Sequence, residues 1–256
     1  MSTRKLFELD GKVAVVTGSS KGIGKSIALA LAEYGAKVVV SSRSQEAVDE
    51  VAKEFEDQGL EAKGIACHVG DEEQCKSLIE KTIANYGGVD ILVNNAATNP
   101  VFSPIEQVES PVFDKIMDVN VKACFTLAKL CFPYMKEKKQ GSIINIASVE
   151  GQKPSMGLGI YSVSKAALIM LTQAQASEWG KYGIRSNTIC PGLIKTKFSQ
   201  ALWSNESIMK QVEHHLPLQR AAEPIEIAGL AVYLASSASS FTTGAVLNAD
   251  GGHMIT

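Results

Sequence analysis

Short apolar runs alternate along the chain with stretches whose apolar positions recur every three or four residues. VAVVTG, Val13 to Gly18, is β-branched and ends in glycine; Ile23 to Tyr34 then repeats Ala and Leu at helical spacing. KVVVSS (Lys37 to Ser42) predicts the next strand and Gln45 to Gln58 a charged amphipathic helix. EAKGIAC followed by Glu72 to Tyr86 repeats the unit, and DILVNNA supplies a fourth strand. One long helix is predicted from Pro111 to Lys138. GSIINIAS, a helix from about Tyr161 to Tyr182, IRSNTICPG and GAVLNADGG complete the series. The strands show no polar alternation, which predicts burial on both faces. The expected fold is therefore α/β: a single-domain, Rossmann-like, doubly wound parallel sheet flanked by helices, with one domain over 1–256. Ile194 to Arg220 reads as an insertion near the C-terminal edge.

Length and composition agree with that picture and remove other classes. The chain has 256 residues, 45% hydrophobic and 20% charged, and a net charge of −2. Such a chain buries a large core without disulfide or metal staples. The balanced charge argues against a nucleic-acid partner. The five cysteines are odd in number and form no CxxC pair, so they read as buried thiols of a reducing compartment. None of the four histidines has ligand spacing, so no metal is expected. His214-His215 reads as a solvated turn. Ile227 to Ala249 carries no charge, but only Ile227 to Ala235 is consistently apolar. A buried helix, a loop and a strand are expected there, with no membrane partner. MSTRKLFELDGK lacks an apolar core and is not a secretory signal. A cytoplasmic protein is the expectation.

Two clusters carry candidate chemistry. The first strand runs into Thr17-Gly18-Ser19-Ser20-Lys21-Gly22-Ile23-Gly24, which opens a helix. Gly18 suits a tight turn, Gly22 lets backbone approach a pyrophosphate, and Gly24 permits close helix packing. The alternative is a glycine-rich turn without a ligand. An NAD site would place a carboxylate at the end of the second strand; here that strand ends Ser41-Ser42-Arg43. Arg43 and Lys21 suit a 2′-phosphate, so NADP(H) is preferred and NAD(H) remains possible. As an alternative, both are plain surface charges. The second cluster is Tyr161-Ser162-Val163-Ser164-Lys165, a phenol and an ammonium on one helix face. The ammonium is expected to lower the phenol pKa for acid–base work. Tyr134 and Lys138 share that spacing, but Tyr161 alone follows a strand-end serine, Ser148, by 13 residues.

These residues, taken together, resemble the classical short-chain dehydrogenases/reductases over essentially the whole chain. TGSSKGIG is similar to the family's cofactor loop, Asn94-Asn95-Ala96-Ala97 to its NNAG stretch, and Asn120 in DVNVKA to its catalytic asparagine. Ser148, Tyr161 and Lys165 match its catalytic residues, and Pro191-Gly192 the loop beside the nicotinamide. CHVG, NNAATNP and PGLIKTKFSQALW resemble the carbonyl/retinal reductase branch, typified by a peroxisomal tetrameric carbonyl reductase. Most members carry Asp where this chain has His68, and the final Met254-Ile255-Thr256 is not a peroxisomal tripeptide.

The resemblance implies hydride transfer between the nicotinamide and a carbonyl or alcohol. Ser148 would bond the substrate oxygen and Tyr161 would move the proton. Lys165 would tune Tyr161 and hold the ribose, and Asn120 would hold a water leading to Lys165. The cofactor would touch Gly18, Ser20, Lys21, Gly22, Ile23, Gly24, Ser42, Arg43, His68, Val69, Asn95, Ala96, Tyr161, Lys165, Pro191, Gly192, Ile194 and Thr196. Residues 194–220 resemble the substrate lid. Its Phe198, Leu202, Trp203 and Met209, opposed by Val101, Phe102, Met156 and Leu158, suggest an apolar or aromatic carbonyl substrate; ordinary core or interface packing is the alternative. A 3-oxoacyl-thioester reductase, a sugar or steroid alcohol dehydrogenase, and a catalytically silent dinucleotide-binding regulator stay open. A homotetramer is expected, with the apolar tail reaching a neighbouring subunit.

Overall fold

The structure, a computed structural model, describes residues 2–256. Among these, seven parallel strands form one sheet: β1 Val13–Thr17, β2 Lys37–Ser41, β3 Ala62–Gly64, β4 Ile91–Asn94, β5 Gly141–Ile146, β6 Ile184–Pro191 and β7 Val246–Ala249. Their order is β3-β2-β1-β4-β5-β6-β7. The chain builds outward from β1 in one direction, then crosses back and builds in the other, which leaves a switch point between β1 and β4.

Strand alternation explains how the sheet is covered. Ala14, Val16, Val38 and Val40 face α1 (Gly22–Glu33), α2 (Gln45–Glu56) and α9 (Ile225–Ala235) in one core cluster. Val15, Val39, Leu92 and Ile143 face α3 (Glu72–Tyr86) and α5 (Ala123–Lys138) in the other. The helices begin and end where side chains allow. Ser44 caps α2 through the Ala47 N–H, and Asp71 caps α3 through the N–H groups of Glu73 and Gln74. Gly87, at φ +81°, ends α3 in the left-handed region.

Four local expectations are corrected. The third ladder stops at Gly64, although the Ile65 and Cys67 amides still bond Val40 and Ser42 carbonyls at 3.0 and 2.8 Å. The single helix expected over 111–138 is α4 (Ser110–Met117), a π turn over Asp118–Lys122, and α5. The Ala123 amide reaches the Asp118 carbonyl five residues back, so one extra residue is accommodated at Asn120. The helix near Tyr161 is α6, Gly159–Trp179, followed by a 3₁₀ turn at Gly180–Tyr182. His214-His215 closes a helix rather than forming a turn: residues 194–220 contain α7 (Gln200–Trp203) and α8 (Glu206–His215).

All five cysteines are free and buried. Among the described residues no helix is long and apolar enough to cross a membrane. The C-terminal Thr256 carbonyl accepts a bond from Lys153 of the same chain at 2.6 Å, so the tail is engaged internally.

Candidate active site

Register brings the candidate residues to one edge. Thr17 opposes Ser41, Asn94 opposes Asn145, and Pro191 opposes Ala249, so the C-terminal ends of β1, β2, β4, β5 and β6 align. Gly18, Ser42, Asn95, Ser148 and Gly192 all follow those ends.

The glycine loop is held open by what surrounds it. Thr17 Oγ1 accepts the Asn95 and Ala96 amides at 3.0 and 3.1 Å, and Asn95 Nδ2 donates to the Thr17 and Gly18 carbonyls at 2.9 and 3.0 Å. Gly18 has φ +64°, and a Cβ there would lie 2.9 Å from Ala96 Cα. A Cβ on Gly24 would collide with the Asn95 amide and the Gly18 carbonyl. Gly22, at φ +57°, faces Thr196. Gly192 backs onto Asp250, where a Cβ would stand 2.8 Å from its Cα. Ser20 and Ile23 are half-buried in the same turn. The N-terminus of α1 receives no side-chain cap, so its amides are directed at the loop. Lys21 and Arg43 are exposed, and among the described residues neither forms an ion pair. This cradle fits a dinucleotide pyrophosphate, with two unpaired cations at the ribose end. His68 is exposed; its Nδ1 accepts the Gly70 amide at 3.2 Å, while Val69 packs into the core.

Beyond β5, Ser148 begins a 3₁₀ turn, and its Oγ accepts the Glu150 amide at 3.1 Å, leaving its own O–H to donate. Tyr161 and Lys165 lie on the first two turns of α6. A buried ladder fixes that helix: Asn94 Nδ2 donates to Asn145 Oδ1, and Asn145 Nδ2 to Thr172 Oγ1, both at 2.8 Å. Lys165 is 2% exposed and donates to the Ile146 carbonyl at 2.8 Å, with Nζ 5.6 Å from the Tyr161 ring centroid.

Burial acts on both members of the pair. It raises the Tyr161 pKa above the ordinary tyrosine range; the Ser148 hydroxyl pulls it down, and the Glu150 charge pushes it further up. It also depresses the Lys165 amine, to about 8.

The Asn120 side chain is engaged locally: Oδ1 accepts the Thr98 amide at 2.8 Å, and Nδ2 donates to Thr98 O and Ser164 Oγ, each at 3.0 Å. The amide therefore ties the loop after β4 to α6. The Cys124 thiol contacts the Asn120 carbonyl at 3.4 Å.

The proposed substrate wall separates into two groups. Phe102, Met156 and Phe198 are 70%, 92% and 59% exposed. Phe198 stands 6.1 Å from the Tyr161 ring, and Phe102 lies against Gly157, where a Cβ would be 2.7 Å from its ring. Leu158 precedes α6 and is half-buried, as is Val101. Leu202, Trp203 and Met209 are half-buried within the insertion. Trp203 Nε1 donates to the Thr196 carbonyl at 2.8 Å, which fixes the edge of the ring within the insertion. Ile194 is buried and bridges Ala222, and Thr196 Oγ1 shares a bond with Ser199 at 3.0 Å. Glu150, Thr98 and Ser164 escaped the sequence reading. Glu150 is only two residues from Ser148, but nothing in the chain order says that its carboxylate meets Ser162.

Comparisons with known proteins follow the same outline. Residues 18–254 match a family model described as enoyl-(acyl carrier protein) reductase. The chain is 42% identical over 244 residues to dehydrogenase/reductase SDR family member 4 of Oryctolagus cuniculus, covering 95% of this chain and 94% of that protein. It is 42% identical over 236 residues to the human mitochondrial dehydrogenase/reductase SDR family member 2, covering 92% and 84%. A gluconate 5-dehydrogenase from Burkholderia cenocepacia J2315, solved with NADP and tartrate, superposes with TM-score 0.96 at 33% identity over 100% of both chains.

Proposed function

Since the chain belongs to the short-chain dehydrogenase/reductase family, we propose that it is an NADP(H)-dependent oxidoreductase that interconverts a ketone or aldehyde with its alcohol. The observation that carries this reading is the meeting of Ser148, Tyr161 and Lys165 at the sheet edge beside a loop that a Cβ would obstruct. Gly18, Gly22, Gly24 and the α1 N-terminus would hold the pyrophosphate, and Lys21 and Arg43 the 2′-phosphate. The NADP bound by the Burkholderia neighbour supports the same choice. When bound, NADP(H) supplies or accepts the hydride at the reacting carbon.

The protein's own residues handle oxygen and proton. The Ser148 hydroxyl donates to the substrate oxygen and steadies the charge that grows there. Tyr161 donates its phenol proton to that oxygen in reduction and, as the phenolate, takes it back in oxidation. Lys165, with a pKa of about 8, exchanges protons near neutrality. Asn120 would hold a water leading outward from Lys165.

Phe102, Met156 and Phe198 favour a substrate with an apolar or aromatic body, because a polyhydroxy acid would leave those faces unmatched. Exposed Phe113, Phe125, Val163 and Met170 on α4, α5 and α6 support self-association as a homotetramer. The buried free thiols support a reducing, cytoplasmic setting. The test is loss of 340-nm absorbance with NADPH across aromatic ketones, diketones, aldehydes and oxoacyl thioesters, for the native chain and Tyr161→Phe. The variant is expected to lose at least ~100-fold in turnover. Near-full turnover by Tyr161→Phe overturns the assignment.

A further inference from the structure

Glu150 lies outside the residues assigned above, yet it is bonded to three segments of the site. Its amide donates to Ser148 Oγ at 3.1 Å. Its Oε2 accepts the Ser155 amide at 2.8 Å and Ser162 Oγ at 2.9 Å, and its Oε1 accepts Ser155 Oγ at 2.6 Å. Ser162 is 4% exposed and adjoins Tyr161 on the first turn of α6. Ser155 begins the short run that ends at Leu158 and carries Met156 and Gly157. A carboxylate has only acceptor sites, so it can take all three donors at once; no neutral side chain of this length does so without turning a donor toward them.

The loop from Gln152 to Leu158 is held at Ser155 by that hub, and at its start by Gln152 Nε2 on Asn248 Oδ1 and Lys153 Nζ on the Thr256 carbonyl, each at 2.6 Å. Gly157, at φ +82°, turns its backbone against the Phe102 ring, and its carbonyl accepts the Ser103 amide at 3.1 Å. Where Ser155 goes, Met156, Gly157 and Phe102 follow, and this run leads through Leu158 directly into the first turn of α6, which carries Tyr161. One half-buried carboxylate therefore joins the serine turn, the apolar wall and the tyrosine helix.

We infer that Glu150 is a positioning residue: it clamps the 152–158 loop to the first turn of α6 and so sets the apolar substrate wall against the Tyr161 hydroxyl. This inference rests on the carbonyl–alcohol reading for its kinetic consequence, but not for its structural one.

The test uses the full chain and the variants Glu150→Ala, Glu150→Gln and Ser162→Ala. Glu150→Ala is expected to raise KM for an apolar carbonyl at least tenfold while KM for NADPH stays within twofold. Glu150→Gln, which keeps one acceptor oxygen and the side-chain length, should recover part of that loss. In parallel, hydrogen exchange of the 152–158 amides should quicken at least tenfold in Glu150→Ala and less in Ser162→Ala, which removes one of the three bonds to the carboxylate together with the hydroxyl's contact to the Leu158 carbonyl. If the native chain turns over a carbonyl and Glu150→Ala leaves its KM within twofold, or raises the NADPH KM equally, the inference falls. If the native chain turns over nothing in the panel, the functional reading fails. Exchange then decides the clamp by itself: a tenfold quickening upholds it, and unchanged protection overturns it.

Discussion

Replacing Lys165 by methionine should abolish turnover and stabilise the fold. The amine is 2% exposed, and burial lowers its pKa from 10.5 to about 8. At roughly 1.36 kcal/mol per unit, holding the charged amine in that site costs the folded state about 3 kcal/mol. Methionine fills a similar volume without charge but abandons the bond to the Ile146 carbonyl, a loss of about 1 kcal/mol. The variant should therefore gain about 2 kcal/mol at pH 7, or roughly 4–8 °C in Tm for a chain of this size. The pH dependence identifies the cause. Below about pH 8 the amine is protonated in both folded and unfolded chains, so the full cost is present. Between about 8 and 10.5 the unfolded chain holds a proton that the folded chain has released, and the native protein gains stability as pH rises. The gap between variant and native protein should thus close over that window. Urea unfolding of both at pH 7, 9 and 10 measures it. A gap that ignores pH, or a variant less stable at pH 7, would refute the burial argument.

Two further substitutions probe the cofactor cradle. Arg43→Ala removes an unpaired cation at the end of β2, and a charge-assisted phosphate contact is worth about 1.5–3 kcal/mol. KM for NADPH should rise about 10- to 100-fold with NADH unaffected, as read from initial rates with each cofactor; equal losses for both would contradict the 2′-phosphate assignment. Gly24→Ala pushes a methyl group into the Gly18 carbonyl and the Asn95 amide, overpacking that typically costs about 1–3 kcal/mol. NADPH fluorescence titration should show Kd raised at least tenfold, and unchanged binding would mean that the loop does not cradle the phosphates.

Much of the architecture is legible in the chain because strands buried on both faces have to be apolar throughout. VAVVT and ILVN are apolar up to their last residues, Thr17 and Asn94, which are themselves buried at the strand ends, and each is followed by a turn and a helix. The glycine loop and the Ser148–Tyr161–Lys165 set are equally readable, since each sits at a strand end or on the helix that follows it. What escapes is set by tertiary neighbours. DVNVK contains neither glycine nor proline, so nothing local announces the π turn. Helical spacing puts Lys165 beside Tyr161, but only the packed structure shows both desolvated, so that burial pushes the phenol up and the amine down. The bond from the Trp203 indole N–H to the Thr196 carbonyl closes a loop that no local pattern announces. Glu150 resembled any loop carboxylate until Ser155 and Ser162 closed on it.

The π turn at Asn120 also constrains insertions and deletions. Removing one residue between Asp118 and Lys122 would restore regular winding, because the wide turn absorbs its extra residue locally and the helix on either side keeps its facing. Leu127, Ala128, Cys131 and Met135 would stay packed on the sheet. A one-residue deletion within α5 itself has no such slack and would turn every later position by about 100° about the helix axis. A change of length is therefore absorbed at the wide turn and not along the regular helix that follows it.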